Sequence, residues 1–230
     1  MSKDNTNLNL TPSFKLFDKS YALIKKNFRI FAILYILPVL FSLTNLASSN
    51  GTIKTDSTDF HMPIVFWFLI PIASLFVLWL IIVYQTMITL LELKVTNSDT
   101  VVEFKQLFKD SRPYWAKLFG LGLLVGLSVV VGLILFIVPG LIMIRRYYLA
   151  AYFMMDKNLG IREAMRQSAA ASKNVSGYIW GLLGVTFVLG LAGIIPLIGS
   201  LISTLLTAAY SVAPALRYQE IKNLATSGDK

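Results

Sequence analysis

The sequence predicts an all-α fold: a polytopic membrane bundle of six transmembrane helices with amphipathic cytoplasmic interfacial helices. Three observations predict it. First, the 230-residue chain is 56% hydrophobic and 14% charged, against about 45–50% and about 25% in ordinary soluble domains. Second, residues 30–53, 62–91, 118–144 and 174–216 contain no Asp, Glu, Lys or Arg, giving runs of 24, 30, 27 and 43 residues; a spanning helix needs roughly 20. Third, the basic residues fall on alternate sides of these runs, as a membrane topology requires.

Taken in order, residues 1–29 are polar or amphipathic. They lack the short apolar core and small-residue cleavage site of a signal peptide, so the first span is expected to be retained. Within the tail 1–28, Thr11 is a candidate N-cap and Pro12 a candidate first helical residue. Phe14, Phe17, Tyr21, Ile24 and Phe28 then recur every three or four residues, with Lys15, Lys19 and Lys26 off that stripe. This is the pattern of a basic amphipathic helix lying on an anionic membrane surface.

The membrane domain is expected over 29–220, with a tail at 221–230. Span one covers about 29–49 and contains Pro38; span two starts near Pro63 and runs to Leu91. Thr100 to Glu103 fits a capping box opening a second surface helix with Val101, Phe104 and Phe108 on its apolar stripe. Span three covers about 118–138 and ends at the turn signal Pro139-Gly140. Span four, about 141–156, carries Arg145 and Arg146. A third surface helix covers 160–173, and Pro196 to Gly199 divides the last run into spans at 177–195 and 200–218. Surface helix followed by hairpin occurs three times, which predicts a divergent threefold repeat. Gly122/Gly126 and Gly177/Gly181 have the spacing of close helix approach, so spans three and five are expected at the bundle interior.

With the N-terminus inside, 18 of 21 Lys and Arg lie on the cytoplasmic side, and the positive-inside rule selects that orientation with both termini cytoplasmic. Tyr114, Trp115, Tyr178, Trp180 and Tyr218 then fall at span ends, where amphipathic rings favour the headgroup boundary. A net charge of +9 reads as topology and attraction to anionic phospholipid, not as nucleic-acid binding. The expected partners are the lipid bilayer, a protein partner or a second copy.

The chain has no cysteine and one histidine, His61. Thiolate metal sites, disulfides and a Ser-His-Asp triad therefore lack material. No metal, cofactor or catalytic residue is expected, and the protein is read as a non-enzyme. Arg145 and Arg146 are the sharpest candidates for a lipid or ligand site, because a charge within a span is costly. Five and six residues beyond Gly140, they could also snorkel to outer headgroups. Gln85 and Glu92, seven residues apart, should share a face, which reads either as a helix end emerging into the cytoplasmic interface or as the polar wall of a cavity. Glu163 and Arg166 are expected to be a solvated pair.

The stretch Ile137 to Leu141 with Arg145, the run Asp156, Gly160, Glu163-Ala164, Arg166, Ser168 and Lys173, and the turn Ile195 to Gly199 followed by Ala213 to Tyr218 resemble a bacterial membrane-protein group. That group comprises the six-span membrane domain preceding some glycerophosphodiester phosphodiesterase domains, and YciC-like proteins that stand alone. The resemblance is best over 114–220. The sequence departs from it after Ser168, where three alanines follow, and at Asn174, where a glycine is usual. It implies an integral inner-membrane module of uncharacterised activity; without the catalytic domain, the phosphodiesterase activity does not carry over. Three functions follow as expectations: a lipid- or envelope-related membrane module or accessory subunit, a small-solute permease or channel, and an intramembrane lipid enzyme.

Overall fold

The computed structural model describes residues 10–49, 64–97, 102–195 and 198–227. Among them every regular element is helical: α1 (Leu16–Lys26, after a 3-10 turn Ser13–Lys15), α2 (Phe28–Ser49), α3 (Ile64–Asn97), α4 (Phe104–Ser111), α5 (Trp115–Leu135), α6 (Ile137–Tyr147), α7 (Ala150–Asp156), α8 (Ile161–Asn174), α9 (Ser176–Leu191), α10 (Gly199–Tyr210) and α11 (Ala213–Ser227). Four stretches are long and apolar enough to cross a membrane: Leu69–Asn97, Phe104–Leu135, Ser176–Ile194 and Gly199–Thr226. The bent pair Ser13–Lys26 and Phe28–Thr44, at 104°, makes a fifth if counted as one.

Short helices and apolar helices meet at single-residue joints. Asn27 leaves helical geometry (φ −110°, ψ 29°) between α1 and α2, and Val175 does the same (φ −113°, ψ 25°) between α8 and α9. These joints let an amphipathic helix change direction without a loop. Asn27 still bonds to the α1 carbonyls of Leu23 and Ile24 through its N–H.

Several local expectations are corrected. Ser13, not Pro12, opens the first helical turn; Pro12 is its extended cap, and Thr11 Oγ1 instead accepts from Lys19 Nζ at 2.9 Å. Glu103 is the cap of α4 and not the third residue of a capping box; Thr100 and Val101 lie outside the described residues. The chain reverses at Phe136 (φ −164°, ψ 154°), and Pro139-Gly140 lie inside the first turn of α6. Proline is tolerated there because first-turn N–H groups have no helical partner. Gly140 serves packing, since a Cβ on Gly132 would stand 2.9 Å from its backbone, and the two glycines let α5 and α6 close. Span four is not one helix, since α6 and α7 are separated by a turn at Tyr148-Leu149. At ~1.5 Å per residue neither crosses a ~30 Å core alone.

The interior also differs from expectation. Only 11% of the apolar stretch in each of the α5 and α9 spans is buried, against 33% for α3 and 28% for α10–α11. Cβ atoms on Gly122, Gly126 and Gly177 would meet open space, and only Gly181 faces a close neighbour, Ser13. Helical glycine spacing here marks backbone that faces open space and not a helix partner. The main core is built instead from the second half of α3, from α7 and from α11, around Leu91, Met154, Ala215 and Tyr218, all fully buried. Residues 94–97, 156 and 217–222 all sit at one end of this core. α4 packs on α3, α8 on α7 and α1 on α11 at this end, the basic side of the molecule.

Candidate functional site

Glu92 lies in the packed half of α3 with 4% of its surface exposed. The Tyr152 hydroxyl on α7 donates to Glu92 Oε2 at 2.6 Å. Tyr35 on α2, Tyr84 on α3 and Tyr148 between α6 and α7 pack against the same core. The ion pairs among the described residues lie elsewhere. The result is a buried carboxyl bonded to a phenol, in a part of the chain where Leu91 and Met154 are fully buried core residues.

A second polar group continues towards the basic side. Tyr218 stacks on Tyr152 at 6.1 Å and donates its hydroxyl to Asp156 Oδ2 at 2.7 Å. Lys222 Nζ meets the same oxygen at 2.7 Å, and Asn97 reaches Oδ1 at 3.4 Å. Burial acts to raise the Asp156 carboxyl, but the bonds from Lys222 and Tyr218 outweigh it and hold the group below the usual aspartate range. Tyr218 is therefore a core residue, not an interfacial ring.

A third group clamps the N-terminal segment. Arg217 is fully buried. Its guanidinium pairs with Glu220 at 2.7 Å, donates to the Thr11 carbonyl at 2.6 Å and lies 5.0 Å from the centre of the Tyr178 ring. Tyr210 donates to the Ser13 carbonyl at 2.8 Å, and Ser20 to the Ala209 carbonyl at 2.7 Å. One face of α1 is thus fixed to α10 and α11. Its other face leaves Tyr21 exposed, and Phe14 in the turn before α1 and Phe28 at the start of α2 are 77% and 66% exposed.

The other sequence candidates are dispersed. Arg145 is half-buried, with Nε enclosed and without a hydrogen-bond partner among the described residues. Arg146 is exposed. Its carbonyl accepts from Ser168 at 2.7 Å and Ser172 at 3.2 Å. The arginines therefore lie against α8, towards the basic side, and not beside the far turn at Phe136. The short, broken α6–α7 segment brings them there. Gln85 is exposed in a shallow 320 Å³ groove between α3 and α5, while Glu92 is enclosed, so they do not form one wall. A shared helical face becomes two environments because α7 and α11 cover α3 only at its basic-side end.

Among the family-like residues, Gly160 caps α8, Ala164 and Ser168 are buried under it, and Glu163 forms an exposed pair with Arg166 at 2.9 Å. Gly199 opens α10, where a Cβ would stand 2.5 Å from the Ala192 carbonyl oxygen. Pro196 lies outside the described residues. Sequence reasoning missed Arg217, Tyr152 and Lys222. The signal for Tyr152 was available: Tyr148, Tyr152 and Asp156 recur every four residues and share one helical stripe.

Two larger hollows flank these groups. One of 680 Å³ lies between α8 and α11, with Phe153, Lys157 and Lys222 at its base. The other, of 480 Å³, lies between α1, α2 and α10. Among the described residues no group of three or more His, Asp or Glu could hold a metal ion. Comparison with protein-family models, curated proteins and solved structures gave no match.

Proposed function

We propose that this chain is a non-catalytic integral membrane module that organises anionic phospholipid against its basic side. In this reading it spans a bacterial plasma membrane six times with both termini cytoplasmic. The threefold helix-plus-hairpin plan is supported by the joints at Asn27 and Val175 and by two similar breaks. α6 ends at Tyr147 and α7 resumes at Ala150; α10 ends at Tyr210 and α11 resumes at Ala213.

The observation that carries the functional reading is the divided character of α1. A clamp of Ser20, Tyr210 and Arg217 fixes one face, while Tyr21 and Lys25 on the helix, Phe14 and Lys15 just before it and Phe28 just after it stand exposed. Exposed aromatics on a rigidly held basic helix suit an interface where acyl chains meet anionic headgroups. The test is native mass spectrometry of the full chain after reconstitution in phosphatidylcholine vesicles containing a minor fraction of phosphatidylglycerol. Retention of phosphatidylglycerol above its mole fraction supports the reading, and retention at its mole fraction overturns it.

A permease is the second reading, favoured by the enclosed carboxyl of Glu92, because an ionisable group at membrane depth commonly marks a transport path. Against it stands the burial of Glu92, 4% exposed, in a core where Leu91, Met154 and Tyr218 are fully buried. Solute flux in sealed vesicles that Glu92→Gln abolishes would favour the permease.

A further inference from the structure

The hollow between α1, α2 and α10 has a shape that a continuous helix pair would lack. At one end α2 and α10 are held together by Ser42 Oγ and Thr204 Oγ1 at 2.7 Å. Beyond that bond, the small side chains of Ala32 and Ala208 line an open 480 Å³ groove between them. Its walls are mostly apolar, from Phe28, Val39 and Leu205 with the rings of Tyr21 and Tyr35, and Lys25 is the one charged side chain that lines it. The 104° bend at Asn27 puts Lys25 there by turning α1 away from the axis of α2.

The dimensions fit one leaflet. From Phe28 to Val39 the groove follows eleven residue steps of α2, ~16 Å at ~1.5 Å per residue, about half of a ~30 Å hydrocarbon core. Its volume lies in the ~300–1,000 Å³ range of small-ligand sites. The charge also fits. No hydrogen bond or ion pair joins Lys25 to another described residue, and Asp18 is the one acidic residue of α1. An apolar slot one leaflet deep, opening at a lysine, matches an acyl chain whose headgroup is anionic.

We propose that this groove is a specific site for one anionic phospholipid of the leaflet on the basic side, with an acyl chain between α2 and α10 and the headgroup phosphate on Lys25. The site rests on the lipid-organising reading above and names where that lipid is held. Charge complementarity favours a lipid over a second copy of the chain, whose own α1 would present the same lysines to Lys25.

The test uses the full chain and native mass spectrometry with phosphatidylglycerol and phosphatidylcholine as probes. Wild type is expected to retain one phosphatidylglycerol in preference to phosphatidylcholine. Lys25→Glu should lower that retention by about fivefold or more, the factor corresponding to ~1 kcal/mol for each basic residue at an anionic surface. Ala32→Phe fills the groove from an exposed position and should lower retention of both lipids. Lys105→Glu, on α4 away from the groove, should leave retention unchanged. If Lys25→Glu and Ala32→Phe retain the lipid and Lys105→Glu loses it, the groove assignment is overturned while the lipid reading stands. If wild type shows no preference, the lipid reading itself falls and the site with it. A change from dimer to monomer in Ala32→Phe without loss of lipid would make the groove a protein interface and also overturn the proposal. Should Ala32→Phe fail to fold, Lys25→Glu decides alone, since that side chain is exposed and outside the packed core.

Discussion

The two halves of α3 have opposite surroundings, and the more polar half is the one that packs. From Trp67 to Ile81 the described side chains are exposed on every face, with Ile72 at 64%. From Val83 to Val95 the helix is largely enclosed, with Leu91 at 0%. The charge-free run 62–91 covers most of both halves, so apolarity alone does not decide which half packs. The enclosed half carries Tyr84, Thr86 and Glu92. It is covered by α7 and α11, whose own polar residues Tyr152, Asp156 and Arg217 bond across the helix contacts. Helices in lipid gain little from burying apolar surface, because lipid tails are equally apolar; packing and interhelical hydrogen bonds decide.

The largest way to break this contrast is to release the clamp. Arg217→Ala removes a buried cation from Glu220, from the Thr11 carbonyl and from Tyr178. Each hydrogen bond to a charged group is worth about 1.5–3 kcal/mol, and two such bonds, to Glu220 and to the Thr11 carbonyl, are lost. The expected result is a large fall in the detergent unfolding midpoint and faster tryptic cleavage at Lys15 and Lys19 as α1 detaches. Unchanged cleavage would show that α1 is held by something other than this clamp.

A paired truncation sharpens the comparison directly. Leu91→Ala should cost about 2–3 kcal/mol, the low end of core truncations, since lipid and not water is the alternative environment. Ile72→Ala should stay within about 0.5 kcal/mol, as exposed substitutions do. Equal losses would mean that the exposed half of α3 packs against something in the membrane, for which a second copy is the first candidate.

Much of the fold was legible and little of the site. Charge-free runs located the apolar helices, and the three- and four-residue spacing of Phe14 to Phe28 located α1. The glycine pairs misled because Gly122 and Gly126 look the same whether they face a helix or lipid. The proline-glycine turn misled by three residues, because a proline is as well placed inside a first helical turn as in the turn before it. Arg217 was hidden for another reason. Its partners Thr11 and Ser13 lie about two hundred positions away, and no local period reports a contact of that span.

Tyr152→Phe tests the enclosed carboxyl itself. It keeps the ring against Tyr218 and removes the hydroxyl that donates to Glu92. A buried acceptor left without its donor costs about 1–3 kcal/mol. Glu92→Gln in the same background should recover part of that loss, because a neutral amide is less costly to enclose than a carboxylate. No recovery would place the cost in the packing of α7 and not in the Glu92 bond.

The smallest expected effect depends on pH. Asp156 lies at the basic-side end of α7, outside every candidate span, and bonds from Lys222 and Tyr218 keep its carboxyl below the usual range despite burial. A carboxyl lowered in the folded state contributes stability above its unfolded pKa of about 3.9, and loses it as pH falls through the folded value. Asp156→Asn should therefore lower stability at pH 7 by about 1 kcal/mol, a charge-assisted bond discounted for its partial exposure. The gap between variant and wild type should close as pH drops below about 4. Glu163→Gln, which removes a solvated pair on α8, should show no measurable gap at pH 7. A difference for Asp156→Asn that persists at low pH would mean that the carboxyl acts through shape, by filling the junction of α3, α7 and α11, and not through its charge.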